Sequence, residues 1–171
     1  HMINYGEKTV DSATTASDVL NYSTWFTEML SMVCEDMVQQ YLNIEDKDSP
    51  IGRLAIFAQY YFGSGITDWL DGDNVAMSYA GAYAFGAYLA RNYGGTKLIK
   101  EIATNNYVDQ KAITQALKTC GYQETFDSVF KKYAGVPIMQ YYNQLKIEEA
   151  KKLILQKQLT LSQISEKLCF K

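Results

Sequence analysis

Thr24-Trp25-Phe26-Thr27-Glu28-Met29-Leu30-Ser31-Met32-Val33-Cys34-Glu35-Asp36-Met37-Val38-Gln39-Gln40-Tyr41-Leu42 sets the pattern for the whole chain. Phe26, Leu30, Val33, Met37 and Tyr41 recur at intervals of three and four, which places them along one stripe of an α-helix. The spacing predicts a single amphipathic helix over residues 24–42, with Ser23 or Thr24 as its N-cap. A half-buried strand would instead alternate apolar and polar residues, and no such run of respectable length occurs anywhere in the sequence.

Downstream, residues 43–50 read as a polar, acidic loop and residues 51–62 as a second helix ended by Gly63-Ser64-Gly65. Thr67-Asp68-Trp69-Leu70 is at most one turn, and Asp71-Gly72-Asp73-Asn74 punctuates it. From Val75, the positions Tyr79, Ala82, Tyr83, Gly86, Leu89 and Tyr93 predict a long helix closed by Gly94-Gly95. Its small residues, Gly81 and Gly86 among them, would let another helix approach closely. Shorter helices are expected near 96–104, 109–119 and 124–133. The fold class that follows is all-α.

The 171 residues suffice for one full domain, or a domain with a small appendage, and 47% hydrophobic residues suffice for a core. That core should be aromatic, given 14 Tyr, 7 Phe and 2 Trp. No membrane span is expected, because residues 75–90, the most apolar region, are broken by Ser78, Gly81 and Gly86. Cys34, Cys120 and Cys169 lie far apart without metal-knuckle or disulfide-framework spacing and read as buried small hydrophobes. The net charge of −3 hides a sharp asymmetry. Residues 1–130 carry 8 basic against 16 acidic side chains, and residues 131–171 carry 8 against 3, which suggests two segments of different origin.

His1-Met2-Ile3-Asn4-Tyr5 has two readings. His1-Met2 is a cloning scar, or His1 is the last residue of a zinc-binding H-E-x-x-H. The run His-Met-Ile-Asn-Tyr, followed by Trp25-Phe26-Thr27-Glu28-Met29-Leu30-Ser31-Met32 and Glu35-Asp36, resembles the hyicolysin family of zinc metallopeptidases. There the motif reads H-E-F-x-H-M-I-N-Y, then W-L-N-E-G-L-S-M-x-x-E-D. The segment from Asp73 to Leu89, with Asn92-Tyr93-Gly94-Gly95, is similar to the family's Y-G-x-A-Y-x-F-x-x-Y-L and Y-G-G elements.

The resemblance implies a zincin-like domain of which residues 1–130 are the helical C-terminal portion. It implies zinc as cofactor, peptides or proteins as substrate, and an extracellular or cell-surface location. His1 and Glu28 become metal ligands, and Glu35 or Asp36 orients a metal-bound histidine. Tyr79 or Tyr83 donates to a developing oxyanion. The first histidine and the general-base glutamate of the motif fall before His1, so the chain as given is expected to be inert. The ordinary alternatives stand beside each role: a glutamate on an amphipathic helix is a solvated charge, and tyrosines at helical spacing are core.

Residues 131–171 carry a different signature. Phe130-Lys131-Lys132-Tyr133-Ala134-Gly135, the run from Gln140 to Ile154, and Leu161-Ser162-Gln163-Ile164-Ser165-Glu166-Lys167-Leu168 resemble the DNA-binding region of arabinose-regulator (AraC-type) transcription factors. That family joins two helix-turn-helix units by a helix of the form Y-x-N-x-L-x-I-x-x-A-K-x-L-I. The resemblance implies a linker helix over 139–155, with Tyr142, Leu145, Ile147, Ala150, Leu153 and Ile154 facing inward. It also implies a supporting helix over 160–168 with Thr160 as N-cap. The recognition helix would follow Lys171. Cys169 stands where the family's turn has glycine.

Residues 112–133 fit either the first of those units or a continuation of the peptidase pattern. Lys131, Lys132, Lys146, Lys151 and Lys152 are either a solvated basic face or weak, non-specific contacts to DNA phosphates. The expectation is therefore a peptidase fragment with a partial helix-turn-helix tail. A DNA-binding regulator, cytoplasmic in that case, is the alternative, and a helical interaction domain without a site is the third reading.

Overall fold

The stripe over residues 24–42 forms α1 (Thr24–Leu42) in a computed structural model that describes residues 22–60, 65–135, 138–157 and 159–168. Trp25, Phe26, Met29, Leu30, Met32 and Val33 are all buried, so the inward face is broader than the predicted stripe. Tyr41, placed in that stripe by its spacing, is instead 76% exposed. The last turn of α1 runs past the core, and periodicity cannot report where a partner surface stops.

Ser23 occupies the N-cap position with extended backbone, as predicted, but its side chain does not cap its own helix. Its hydroxyl donates to Asp109 Oδ2 at 2.7 Å, and its backbone N–H donates to Asp109 Oδ1 at 3.2 Å. Asp109 has a φ of 55°, a left-handed conformation that aspartate tolerates better than most residues. A carboxylate seated at the N-terminus of α1 also complements the helix dipole there.

After 3-10 turns at Asp46–Asp48 and Pro50–Arg53 comes α2 (Leu54–Tyr60). It starts later than the predicted residue 51, because Ser49 accepts from the N–H of Ile51 and Pro50 opens a tighter turn. The predicted end, at residues 61–64, lies outside the described residues. The long α3 (Val75–Asn92) spans almost the predicted length, and Gly94 follows it with a φ of 99°. A Cβ on Gly86 would stand 2.6 Å from both Met29 Cγ and Val33 Cγ2, so glycine is what lets α1 and α3 press together.

The chain continues through α4 (Gly95–Thr104), α5 (Asp109–Thr119) and α6 (Phe126–Ala134). Thr125 caps α6 in a capping box with Ser128. Aromatic rings tie these helices into one core. Phe85 of α3 meets Phe126 at 5.6 Å and Tyr133 at 5.2 Å, and Trp25 of α1 meets Phe126 at 6.2 Å between ring centroids. The segment boundary read between residues 130 and 131 falls within α6, whose Tyr133 belongs to this cluster.

Beyond Gly135, with φ at 72°, lie α7 (Ile138–Gln156) and α8 (Leu161–Lys167). Both cover the spans expected for the tail, and Thr160 caps α8 in a capping box with Gln163. The inward set is corrected, however: Leu153 is buried and Ala150 partly so, but Ile147 and Ile154 are each 47% exposed. The reason lies in packing, since among the described residues α7 makes substantial helix contacts only with α6 and α8. Tyr142 and Leu145 have no described side chains, and Cys169 lies outside the described residues. Cys34 is exposed and Cys120 half-buried, where the sequence favoured buried thiols.

All elements of the described residues are helical, eight of them α-helices. None is long and apolar enough to cross a membrane.

Candidate functional site

The chain contains only two arginines, Arg53 and Arg91, against 14 lysines. Each stands beside a tyrosine of α3 and within electrostatic reach of a carboxylate of α1.

Around Arg53, the guanidinium lies 5.1 Å from the Tyr79 ring centroid, a cation–π arrangement. Trp69 meets the same tyrosine edge-on at 4.9 Å. Ser78 fixes this turn, accepting from the N–H of Leu70 at 2.9 Å and donating to the Asp68 carbonyl at 3.4 Å. Glu28 is half-buried on α1. Burial pushes its carboxyl above the ordinary range, the Arg53 charge draws it partly back, and Glu35 adds a smaller upward push. Arg53 Nε is buried without a hydrogen-bond partner among the described residues, so the guanidinium relies on the ring and on Glu28's charge.

Around Arg91, Nη2 binds Asp36 Oδ2 at 2.9 Å. Tyr83 is fully buried beneath the pair. Among the described residues its hydroxyl has no partner in strict hydrogen-bonding geometry, yet it lies close enough to Arg91 and Asp36 to interact with both. Burial pushes this phenol above its ordinary range, so it remains a neutral O–H. Beside it, Gln39 is 7% exposed and donates from Nε2 to Asp46 Oδ1 at 2.7 Å and to the Ile44 carbonyl at 3.2 Å. Its Oε1 has no hydrogen-bond partner among the described residues. Gln39 and the Arg91–Asp36 pair line an open groove of about 730 Å³ together with Met37, Tyr41, Asp46 and Ile51, among others.

The residues singled out from the sequence are thus divided. Glu28 and Tyr79 share the Arg53 neighbourhood, with Glu35 exposed further along α1. Asp36 and Tyr83 belong to the Arg91 neighbourhood instead. His1 lies outside the described residues. Among the described residues, no three His, Cys, Asp or Glu side chains are grouped to hold a metal ion, so these residues alone do not make a zinc site.

Of the tail lysines, Lys132 binds Glu124 Oε1 at 2.6 Å and lies 5.9 Å from the Tyr93 ring centroid. Lys151 and Lys152 pair with Glu148 and Glu149 one turn back, at 2.6 and 3.4 Å. Lys131 is exposed and Lys146 half-buried. Exposed pairs of this kind are weak, on the order of 0.2–1 kcal/mol, and would yield to a phosphate.

Sequence reasoning missed both arginines, Trp69 and Gln39. Scarcity was the available signal, since two arginines among so many lysines are placed where a planar guanidinium is wanted. No family model matches the chain, and no curated protein or solved structure is significantly similar to it.

Proposed function

We propose that the helices from α1 to α6 are the C-terminal portion of a zinc peptidase domain of the hyicolysin type, with Glu28 as the carboxylate ligand. One observation carries this reading: Glu28 is half-buried on the same helix that holds the fold together, its carboxyl raised by burial, with Tyr79 and Arg53 at hand. A helix pressed into the core through Gly86 holds such a side chain in place, as a ligand position requires. Zinc would supply the activated water. The described residues contribute one ligand to it, and the two histidines of H-E-x-x-H would complete the set.

In this reading Tyr79, rather than Tyr83, is the phenol near the substrate, and Glu35, rather than Asp36, is the supporting carboxylate. Tyr83 and Asp36 are engaged with Arg91. The experiment joins sequence and binding. Coding sequence for H-E-x-x directly before His1, with zinc uptake by the extended protein that Glu28→Gln abolishes, would support it. Other residues there, or uptake indifferent to Glu28, would overturn it.

A second reading, an AraC-type regulator fragment, is favoured by the Thr160 capping box at the position expected for a supporting helix. It predicts duplex binding that survives salt and depends on sequence. Weak binding that falls steeply with salt and ignores sequence would count against it.

A further inference from the structure

Two surfaces of this chain are apolar, exposed and opposite in charge. On α7, Ile147, Lys151, Ile154 and Leu155 fall on one face of the helix by their spacing, and the three aliphatic side chains are 47%, 47% and 79% exposed. They form an outward strip about 12 Å long at 1.5 Å per residue, with lysines within and beside it. On the body, the groove beside Arg91 is lined by Met37, Val38, Tyr41 and Ile51 with Asp36 and Asp46, and Glu45 and Asp48 belong to the adjoining 3-10 turn; with Asp36 paired to Arg91 and Glu45 to Lys47, the four carboxylates still outnumber the two cations. Tyr41 and Val38 are exposed in that lining, and Leu42 beside them in the sequence is exposed too. The lining also includes buried Gln39, whose Oε1 has no hydrogen-bond partner among the described residues.

We infer that this groove receives the α7 strip of a second copy of the same chain. Charge complementarity selects that occupant. Residues 131–171 carry 8 basic against 3 acidic side chains, and residues 1–130 carry 8 against 16, so each copy offers one surface of either sign. Ile154 and Leu155 enter the apolar lining. Lys151 and Lys152 then exchange their exposed partners Glu148 and Glu149 for Asp46 and Glu45 of the other copy. Reciprocal exchange gives a closed two-fold dimer in which two small contacts add toward the roughly 1,200–2,000 Å² of a stable interface.

Two variants of the full chain test this, each altered only at exposed or groove positions. One carries Leu155→Glu, which breaks the tail, and the other carries Tyr41→Glu with Asp46→Lys, which breaks the groove. Circular dichroism checks that both stay helical. Sedimentation velocity should show a wild-type dimer that weakens with salt, and each variant alone should associate at least about tenfold more weakly, the scale of losing a buried interfacial anchor. Mixed together, the two variants should regain part of the association, because the intact tail of one meets the intact groove of the other. A monomeric wild type at every concentration would overturn the inference, and so would dimers unaffected by either variant or a mixture that gains nothing. Carbodiimide crosslinks between Lys151 and Asp46, read on mixed light and heavy isotope-labelled chains, identify the occupant. Mixed-isotope crosslinks support a second copy. Crosslinks confined to one chain would assign the groove to the chain's own tail and overturn the proposal.

Discussion

From α1 to α6 the chain buries a continuous aromatic core, whereas the pair α7–α8 buries only Leu153 and Ile164 among its described side chains. Each region contains a helix closed by a capping box, since Thr160 caps α8 by the same device with which Thr125 caps α6. Local sequence quality therefore does not distinguish them. Helices this short are marginal in water on propensity alone, and packing decides their stability. The body covers most of its large apolar side chains and leaves out chiefly the end of α1, at Val38, Tyr41 and Leu42, while the tail turns most of its own, Ile147, Ile154, Leu155 and Leu161, to the outside.

The largest expected effect strikes the body. Phe85→Ala removes the ring that joins Trp25's neighbour Phe126 to Phe130 and Tyr133, and should cost about 3–5 kcal/mol by denaturant titration. Gly86→Val should cost about 1–3 kcal/mol, since its side chain would drive Met29 and Val33 from the α1–α3 contact. A variant as stable as the wild type would show that this crossing is looser than the distances indicate. Leu153→Ala sharpens the contrast from the other side. It should remove helical signal from α7 and α8 in far-ultraviolet circular dichroism while leaving the main thermal transition in place. A shift of the main transition as large as that of Gly86→Val would mean the two regions share one core.

These contrasts mark what could be read from the sequence. The spans of α1, α3 and α5 are legible because glycine, threonine and asparagine punctuate them and the apolar period between is regular, whereas those of α7 and α8 are what the AraC-type resemblance implies. The close approach at Gly86 is legible from the run of small residues. Exposure is not legible: the inward face of α7 is what the AraC-type resemblance implies, and a resemblance does not show whether anything covers that face, so Ile147 and Ile154 stand outside where burial is expected. Neither are contacts between distant elements. The Ser23–Asp109 bond joins residues 86 apart, and Arg91–Asp36 joins residues 55 apart. For the candidate site, Glu28 and Tyr79 are legible from the sequence, but the arginine that interacts with both is not.

The smallest expected effect is electrostatic. A hydrogen bond from Lys132 holds the Glu124 carboxyl below its ordinary 4.5, and the same bond holds the lysine above its ordinary 10.5. A depressed carboxyl stabilises the fold above its unfolded value and loses that contribution as pH falls through the folded value. A raised lysine contributes below its unfolded value and loses it as pH rises through the folded one. Lys132→Met should therefore lower the melting temperature slightly between about pH 4.5 and 10.5, with wild type and variant converging toward either extreme. An equal difference at pH 3 and pH 7 would assign the loss to packing on Tyr93 instead.

Native-state hydrogen exchange on the dilute full chain tests the division into body and tail most directly. The account predicts that the central amides of α1 and α3 exchange only through global unfolding, and that those of α7 and α8 exchange through local opening at much lower free energy. Protection of α7 equal to that of α3 in dilute solution would contradict it.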